Sequence, residues 1–444
     1  MLVKSVSELI GRTPLLLIDP AVHGLKNIKL YAKLEHLNPL GSLKDRAAFN
    51  ILAGELDALS ASGKSVIESS SGNMAKAMAV LCAMKGIPLR VVTNRIAVRE
   101  VKQILQFLQV DLAEFPSMSS CPDPSDPNNP IAQIEREMAM EPDKFLHTSQ
   151  FTNAKNMAAH QSCTGPEIAD DIAGSGNGKV DYLIAGMGTT GSSRGCLQYL
   201  QGLNPKLKAI GVVAKKSHVI PGIRNADEMF EVGLFKRELY EAVLEASTDD
   251  AIDGMITLAR KLGVLAGPTS GAAFSAACKY LSQVDQALEQ EANAVFIVCD
   301  RVEWYLSYLQ KYRPGLFSAG VEKKTGVHFV SERDASGAPE IDCKAAQALI
   351  DSDANTLVVD MRGGLAYKAG HIPGSVNIPA EKLSELLDFG VPFSKSQEIL
   401  LVCPQGDDSK RFVVYLLSKK YKARSLAGGF ISWRDSGLSI ERGA

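Results

Sequence analysis

The sequence predicts an α/β protein made of two units. Over residues 1–312, short apolar stretches typical of strands alternate with stretches of helical composition, which indicates a mostly parallel sheet. A polar, glycine-containing connection over residues 313–340 is followed by a second such pattern at 341–444. At 444 residues the chain is too long for one ordinary core, since domains hold roughly 100–200 residues.

The first unit predicts strands and helices in alternation. Strands are expected at residues 28–32, 64–68, 89–93, 181–185, 209–213 and 294–299. Helices are expected at residues 45–60, 73–86, 98–109, 131–139, 192–201, 249–261 and 271–289. Residues 117–130 are rich in Ser, Pro, Asp and Asn, which predicts a surface loop. We interpret this loop as an insertion, with a mobile flap as the alternative.

The second unit repeats the alternation on a smaller scale. Asp342 is expected to cap a helix over 343–351, because its carboxylate can accept hydrogen bonds from the first free amides. A strand over 356–360, a strand over 399–403 and a helix over 409–420 are expected to follow. This pattern fits a small α/β domain.

Composition excludes several classes of protein. Charged residues make up 22% of the chain and the formal net charge is -2, so the charge balance favours neither nucleic acid nor an anionic membrane. No apolar run reaches transmembrane length, and the N-terminal residues lack the pattern of a signal peptide. We therefore expect a cytoplasmic protein. Its eight cysteines include no Cys-x-x-Cys pair, which argues against a disulfide framework or a metal site.

One lysine stands at a junction suited to reactivity. Lys44 follows the turn-forming stretch 38–42 and precedes a helical run. A lysine amine becomes a nucleophile toward carbonyl groups when its ammonium form is desolvated. The alternative is a solvated lysine at a helix start.

Four loops carry further polar groups. Residues 184–192 are glycine-rich and connect a strand to a helix, so their amides can hold a phosphate or simply make a tight turn. Residues 68–73 can clamp a carboxylate or cap a helix. Residues 267–272 place a hydroxyl before a helix, and residues 147–153 contribute Gln150.

Ordered motifs resemble those of the cysteine synthase/cystathionine β-synthase family. They are Ile10–Leu15, the Lys44 segment, Ser70–Asn73, Thr164–Ile168, Gly186–Ser192 and Gly267–Ala272. The resemblance covers residues 1–312. It implies pyridoxal 5'-phosphate as cofactor, an amino-acid substrate, a homodimer and the two-lobed fold of the tryptophan synthase β-subunit.

The resemblance also implies roles for individual residues. Lys44 would form the Schiff base with the cofactor and act as acid and base, and Asn73 would bind the ring hydroxyl. The phosphate would be held by Gly188, Thr189, Thr190, Gly191 and Ser192; the substrate would meet Ser70, Ser71, Gly72, Gln150 and Gly222. Thr269 would face the pyridine nitrogen. A neutral hydroxyl there makes the ring a weaker electron sink, which favours β-elimination and replacement over transamination.

The sequence departs from the family pattern around the substrate. Met74 stands where threonine is usual, and Ser69 where proline is common. The loop over residues 215–225 is short and basic, and its segment Ile220–Gly222 is similar to the branch that joins O-phosphoserine to an amino-acid nucleophile. The basic residues of this loop are Lys215, Lys216, His218 and Arg224. They either form a solvated rim or line the cleft. In the cleft they would favour an anionic leaving group or an anionic second substrate.

Residues 341–444 resemble a single rhodanese domain. The resemblance rests on Asp360–Arg362, Gly370–Ser375 with Asn377–Pro379, Cys403 at a strand end, and Gly428–Trp433. The loop after Cys403 would wrap amides around the sulfur at a helix start, which stabilises a thiolate or persulfide; a buried structural cysteine is the alternative. Asp407 and Asp408 occupy a loop that usually carries arginine. They would repel thiosulfate, so we expect an uncharged or protein-borne sulfur donor, or loss of catalysis.

Three functional hypotheses follow. The first is β-replacement on O-acetylserine or O-phosphoserine, with sulfur delivered by Cys403 to give cysteine or a related thio-amino acid. The second is β-substitution by an amine nucleophile, with a regulatory rhodanese domain. The third is a non-catalytic sulfur carrier or scaffold, suggested by Asp408 and Met74.

Overall fold

The computed structural model describes residues 2–94, 96, 98–115, 128–216, 218–317, 327, 330–353 and 355–443. Its contacts divide the chain into two compact units, Met1–Phe317 and Ser318–Ala444.

Ten strands of the first unit form two sheets. The strands are β1 (Leu15–Leu17), β2 (Ile28–Leu34), β3 (Ser65–Ser69), β4 (Leu89–Thr93), β5 (Asp111–Glu114), β6 (Phe145–His147), β7 (Tyr182–Gly186), β8 (Lys208–Ala214), β9 (Ala242–Ala246) and β10 (Ala292–Val298). The larger sheet has the order β1-β2-β10-β7-β8-β9, and the smaller has the order β5-β4-β3-β6. Only the described pair β1 and β2 is antiparallel. The parallel α/β architecture predicted from the sequence is therefore confirmed.

Twelve helices of the first unit are described. They are α1 (Pro20–His23), α2 (Lys44–Leu52), α3 (Leu56–Ser62), α4 (Asn73–Ala83), α5 (Arg99–Phe107), α6 (Pro130–Met140), α7 (Ala154–Ala159), α8 (Gly165–Ile172), α9 (Gly191–Leu203), α10 (Thr248–Leu262), α11 (Pro268–Asp285) and α12 (Leu306–Tyr312). A π-helical turn, His160–Thr164, joins α7 to α8. Short 3-10 turns lie at Val6–Leu9, Glu35–Leu37, Ala226–Glu231, Arg237–Leu239, Val302–Tyr305 and Pro314–Phe317.

The main departures from the predicted elements have local causes. The helix expected over 45–60 is two helices, because residues 53–55 form a turn that contains Gly54, a poor helix former. The strands β1, β5, β6 and β9 were not predicted; three of them have only three or four residues, too few for a clear alternation. Most of the loop expected over 117–130 lies outside the described residues.

The second unit is a five-stranded parallel sheet with helices around it. Its strands are β11 (Glu340–Ile341), β12 (Thr356–Asp360), β13 (Val376–Asn377), β14 (Glu398–Val402) and β15 (Lys422–Leu426), in the order β11-β15-β14-β12-β13. Its helices are α13 (Glu332–Ala335), α14 (Cys343–Ser352), α15 (Gly364–Ala369), α16 (Ala380–Phe389), α17 (Asp407–Ser418) and α18 (Gly429–Asp435).

Two features of the second unit bear on the sequence predictions. The carboxylate of Asp342 accepts a hydrogen bond from the Ala345 amide at the start of α14, so the predicted cap is confirmed. The connection expected over 313–340 contains α13, which packs against α17. In the part of the chain that the structure describes, no helix has the length and apolar character needed to cross a bilayer.

Candidate active site

Lys44 is the first residue of α2, as the sequence predicted. Its half-buried side chain reaches the phosphate loop predicted between β7 and α9, where Nζ donates to Thr189 Oγ1 at 3.4 Å. Burial of the amine lowers the pKa of Lys44, although Cys299, Asp300 and Glu68 act in the opposite direction. A lysine with a lowered pKa holds more of the neutral, nucleophilic form at neutral pH.

The loop between β7 and α9 has the properties of a phosphate site. Thr190, at the N-cap of α9, adopts a left-handed backbone with φ of 59°. None of the described side chains caps this helix, so its first amides and the positive end of its dipole are available to an anion. Thr189 Oγ1 accepts from Asn156 Nδ2 at 3.0 Å. Ser192, in the first turn of α9, is buried.

Glycines in this region permit close approach of backbone segments. A Cβ on Gly188 would lie 2.8 Å from the Gly222 carbonyl oxygen, and one on Gly191 would lie 2.3 Å from Asn156 Oδ1. Gly222 has φ of +96°, and a Cβ there would lie 2.6 Å from Thr269 Oγ1. The segment containing Gly222 therefore lies directly over the phosphate loop.

Thr269 is the second residue of α11, because this helix begins at Pro268 and not at residue 271 as predicted. Its buried hydroxyl donates to the Pro221 carbonyl oxygen at 2.8 Å. A Cβ on Gly186 would lie 2.4 Å from Thr269 Cγ2. Thr269 is thus held between the end of β7 and the segment containing Gly222.

Asn73 is the first residue of α4, and a buried cluster fixes its amide. Its Nδ2 donates to Asp300 Oδ2 at 2.5 Å and to the Tyr305 hydroxyl at 3.2 Å. The Tyr305 hydroxyl donates to the same carboxylate oxygen at 2.5 Å. Burial raises the pKa of Asp300 to about 6, against the hydrogen bonds from Tyr305 and Asn73 and the charge of Lys76.

The loop between β3 and α4 is organised by Glu68. This buried carboxylate accepts hydrogen bonds from the Ser69 amide at 2.8 Å, the Gln150 amide at 3.1 Å and Thr148 Oγ1 at 2.5 Å. Burial raises the pKa of Glu68 to about 7, although these hydrogen bonds oppose the shift. Gln150 Nε2 also donates to the Ser69 carbonyl oxygen at 2.7 Å. Gln150 and this loop therefore lie together, as a carboxylate site requires.

The three predicted loop residues after Ser69 differ in exposure. Ser70 is buried, and its Oγ accepts from the Gly72 amide at 3.3 Å and the Ala75 amide at 3.2 Å. Ser71 is exposed and Gly72 is half-buried. Met74 is 1% exposed and packs in the core of the smaller sheet, so its side chain does not replace the contact of a threonine hydroxyl with a substrate.

Buried polar atoms near the predicted cofactor residues have no partner. Among the described residues, Asn73 Oδ1, Thr190 Oγ1 and Asn156 Oδ1 are buried and make no hydrogen bond. Buried polar atoms are normally satisfied, so these three indicate a ligand with polar groups on both sides. A phosphorylated pyridine aldehyde fits this arrangement, with Lys44 beside it. No cluster of metal-ligating side chains occurs in the described ranges.

Several residues of this site were missed in the sequence. Asn156, Glu68, Asp300 and Tyr305 make their contacts across long sequence separations. One signal could have found Asp300, because it follows the end of β10 in the larger sheet. Ligands of parallel α/β sheets bind beyond the carboxyl ends of the strands.

In the second unit, Cys403 follows β14 and lies in a cradle of donors. Its Sγ accepts from the Gly406 amide at 3.1 Å and the Ser409 amide at 3.4 Å, and lies 3.1 Å from Ser409 Oγ. Cys403 is 2% exposed. Asp407 and Asp408 begin α17 and are exposed. The predicted wrapping of amides around the thiol is present, beside two carboxylates.

The lysine, the helix-end phosphate cradle and the unsatisfied polar atoms are those of a pyridoxal-phosphate-dependent enzyme. A family model described as pyridoxal-phosphate dependent enzyme matches residues 6–300, and a rhodanese-like domain model matches residues 342–436. The chain therefore belongs to the pyridoxal-phosphate-dependent enzyme family and carries a rhodanese-like domain after it. Both resemblances predicted from the sequence are confirmed, as are the fold class and the cofactor.

Curated relatives and solved structures agree with this family. Cysteine synthase B of Pseudomonas aeruginosa is 30% identical over 307 residues, 68% of this chain and 96% of that protein. Cystathionine beta-synthase of Apis mellifera is 30% identical over 315 residues, 67% of this chain and 59% of that protein. The crystal structure of O-acetyl serine sulfhydrylase isoform 3 from Entamoeba histolytica is similar with a TM-score of 0.60 and 27% identity, over 70% of this chain and 92% of that one.

Proposed function

We propose that this enzyme catalyses β-replacement on an O-activated serine, O-acetylserine or O-phosphoserine, with sulfur as the incoming atom. The observation that carries the proposal is the Lys44 amine, with its lowered pKa, against the phosphate loop. Its support from outside the chain is the similarity to cysteine synthase B and to an O-acetyl serine sulfhydrylase.

The chain's own residues divide the work. When bound, pyridoxal phosphate supplies an aldehyde and an electron-withdrawing ring. Burial lowers the pKa of the Lys44 amine, which raises the share of its neutral form, and in that form Nζ would take the proton from the substrate α-carbon and later return it. Asn73 would orient the ring, and the loop Gly188–Ser192 would hold the phosphate. The Thr269 hydroxyl, which donates to the Pro221 carbonyl oxygen, would leave a ring nitrogen beside it neutral, which favours loss of a β-leaving group over transamination.

The substrate carboxylate is received by Ser70, Ser71, Gly72 and Gln150. The Arg224 guanidinium carbon is 4.7 Å from the ring centroid of Phe151, the neighbour of Gln150 in sequence. Arginine is well suited to bind phosphate. An Arg224 side chain that reaches the substrate would favour an anionic leaving group, and so O-phosphoserine over O-acetylserine. The Arg224→Leu variant should lower kcat/KM for O-phosphoserine about tenfold or more while changing that for O-acetylserine little. Equal losses for the two substrates would remove this preference.

Cys403 is the proposed carrier of the incoming sulfur. A persulfide donor transfers its outer sulfur to the Cys403 thiolate and leaves as a thiol. Two equivalents of a small thiol then release that sulfur as sulfide and are oxidised to a disulfide, which regenerates Cys403. Asp407 and Asp408, both exposed, repel thiosulfate and support an uncharged or protein-borne donor.

The test combines substrate, sulfur source and variants of the full chain. Purified enzyme with O-acetylserine or O-phosphoserine and sulfide should yield cysteine by mass spectrometry, and Lys44→Ala should yield none. Lys64→Ala, at a half-buried lysine just before β3, serves as the matched control. Absence of product from the parent enzyme with either substrate would reject sulfur β-replacement.

The relay is tested separately. With a persulfide donor and a thiol, Cys403→Ser should lose product formation while sulfide-driven turnover is retained. Cys343→Ser, at another buried cysteine of the same unit, should behave like the parent. An unchanged rate in Cys403→Ser with the persulfide donor would remove the relay and leave the β-replacement proposal intact.

The second candidate is β-substitution by an amine nucleophile, with a regulatory rhodanese domain. It is favoured by the Ile220–Gly222 segment, which lies over the phosphate loop and near Thr269. Adding amino acids in place of sulfide, followed by mass spectrometry of the products, distinguishes it. The remaining alternative is a sulfur carrier without β-replacement activity, which would load sulfur on Cys403 but turn over neither serine derivative.

A further inference from the structure

Lys76 is a buried lysine with no part in the mechanism above. It lies in α4 and is 3% exposed. Its Nζ lies 3.8 Å from the ring centroid of Trp304 and, among the described residues, has no hydrogen-bond partner. Burying an ammonium without hydrogen bonds is unfavourable, and a methionine would fill the same space at lower cost. Packing therefore does not explain this lysine.

The charges around Lys76 come from three elements. Asp300 and Arg301 follow β10, Asp45 lies in α2, and Glu303 precedes Trp304 in the 3-10 turn Val302–Tyr305. Burial lowers the pKa of Lys76 to about 8. The carboxylates of Asp300, Asp45 and Glu303, in that order of strength, raise this pKa, and the Arg301 guanidinium lowers it further. Asp300 is thus the leading counter-charge of Lys76.

Asp300 connects Lys76 to the candidate cofactor site. Asp300 Oδ2 accepts from Asn73 Nδ2 at 2.5 Å, and this contact leaves the buried Asn73 Oδ1 free of partners in the described chain. Asn73 and Lys76 are three residues apart on α4, so they lie on the same face of that helix. One turn of α4 therefore carries both the Asn73 amide and the Lys76 ammonium, and Asp300 accepts from the first and acts electrostatically on the second.

We propose that Lys76 is a positioning residue for the β-replacement reaction: its cation keeps Asp300 ionised, and the Asp300 carboxylate holds the Asn73 amide in the orientation that receives the cofactor ring. This inference rests on the proposed role of Asn73. The cation–π contact with Trp304 holds the ammonium without drawing it into a direct ion pair.

The arrangement has a defined pH window. Asp300, with a pKa of about 6, is charged above that pH, and Lys76, with a pKa of about 8, is charged below that pH. Both charges coexist between the two values. Below this window Asp300 is protonated, so Asn73 loses its anionic acceptor. Above this window Lys76 is neutral, so Asp300 loses its cation.

The first measurement uses tryptophan fluorescence. The chain has two tryptophans, so the fluorescence of a full-length Trp433→Phe variant comes from Trp304 alone. If Trp433→Phe folds poorly, subtracting the spectrum of Trp304→Phe from that of the parent gives the same signal. Loss of the proton from Lys76 should change the Trp304 emission with a midpoint near pH 8, in apoprotein and holoenzyme alike. Lys76→Met should abolish this step, and Lys76→Arg should move it out of range. A step that survives in Lys76→Met would overturn the proposal.

The second measurement is cofactor binding, followed by the absorbance of bound pyridoxal phosphate. At pH 7, Lys76→Met and Asp300→Asn should each raise the dissociation constant of the cofactor about tenfold. Lys76→Arg keeps the positive charge and should bind the cofactor as tightly as the parent. The melting temperature of Lys76→Met should be unchanged or higher, since a buried ammonium that makes no hydrogen bond in the described chain is removed. Unchanged cofactor affinity with a lowered melting temperature would show a structural lysine and overturn the proposal. Failure of the parent to bind pyridoxal phosphate would instead reject the proposed function, and the fluorescence step would still test the Lys76–Trp304 contact.

Discussion

Three lysines of the first unit are removed from water in three different ways. Lys33 is fully buried and paired, with Nζ 2.5 Å from the Thr13 carbonyl oxygen and 2.9 Å from Glu167 Oε2. Lys76 lies over an aromatic ring without a hydrogen bond. Lys44 reaches a hydroxyl of the phosphate loop. Burial alone therefore does not indicate chemistry; the partners of each amine distinguish a structural ion pair from a reactive group.

At the residue scale, local turns and helix starts marked Lys44 and the loops that contain Asn73, Thr269 and Gly188–Ser192, and the roles of these residues came from the family resemblance. The sequence did not predict Asp300 as the partner of Asn73, since the two are 227 residues apart. Lys76 was missed for a related reason. Its position in a helix of apolar residues indicates burial, but only the three-dimensional structure shows that its ammonium makes no hydrogen bond to any residue that the structure describes.

A pH prediction follows from His160. This imidazole is buried; Nδ1 lies 2.9 Å from Thr164 Oγ1, and Nε2 has no partner in the described part of the chain. Burial lowers the pKa of His160 to about 3, so it stays neutral in the folded protein while the unfolded chain binds a proton near pH 6.5. Its contribution to stability is present above pH 6.5 and falls toward pH 3, by up to about 1.4 kcal/mol per pH unit.

His160→Gln should remove this share of acid sensitivity. Urea unfolding of the first unit, followed by Trp304 fluorescence in the Trp433→Phe background, should show a shallower fall in the free energy of unfolding between pH 6.5 and 4. His36, whose pKa burial lowers to about 4, should supply part of the slope that remains. Parallel curves for the variant and the parent would contradict this account of His160.

At the element scale, helices α10 and α11 pack backbone to backbone through glycine. A Cβ on Gly271 would lie 2.0 Å from the Ala251 carbonyl oxygen, and one on Gly254 would lie 2.1 Å from the Gly271 carbonyl oxygen. This contact fixes the helix that carries Thr269 against its neighbour. The sequence predicted both helices from their composition, but the closeness of their approach depends on tertiary contacts that no local pattern records.

Gly271→Ala should destabilise the first unit. The new Cβ would collide with the backbone of α10, and α11 would have to move away to make room for it. Overpacking of this kind lowers the free energy of unfolding by about 1–3 kcal/mol. The matched control is Gly202→Ala in α9, where a Cβ meets nothing within 4 Å and alanine favours the helix by up to about 1 kcal/mol. Chemical denaturation of both variants checks the prediction. Equal stabilities of the two would show that the close contact is not limiting.

At the scale of the whole molecule, the chain consists of two units with separate cores, which match two different families. Ordered motifs predicted both families. The boundary was less predictable. Residues expected to be a plain connection include α13, whose four residues pack on α17 and are too short for a helical pattern to stand out. The homodimer remains a prediction from the family resemblance.

The central claim is that Lys44 is the lysine that binds pyridoxal phosphate. Borohydride reduction of the purified full-length protein, followed by proteolysis and mass spectrometry, should place a phosphopyridoxyl group on the peptide that contains Lys44. Lys44→Ala should lose this modification, whereas Lys76→Met should retain it on Lys44. A phosphopyridoxyl group on another lysine, or none on the parent protein, would contradict the account.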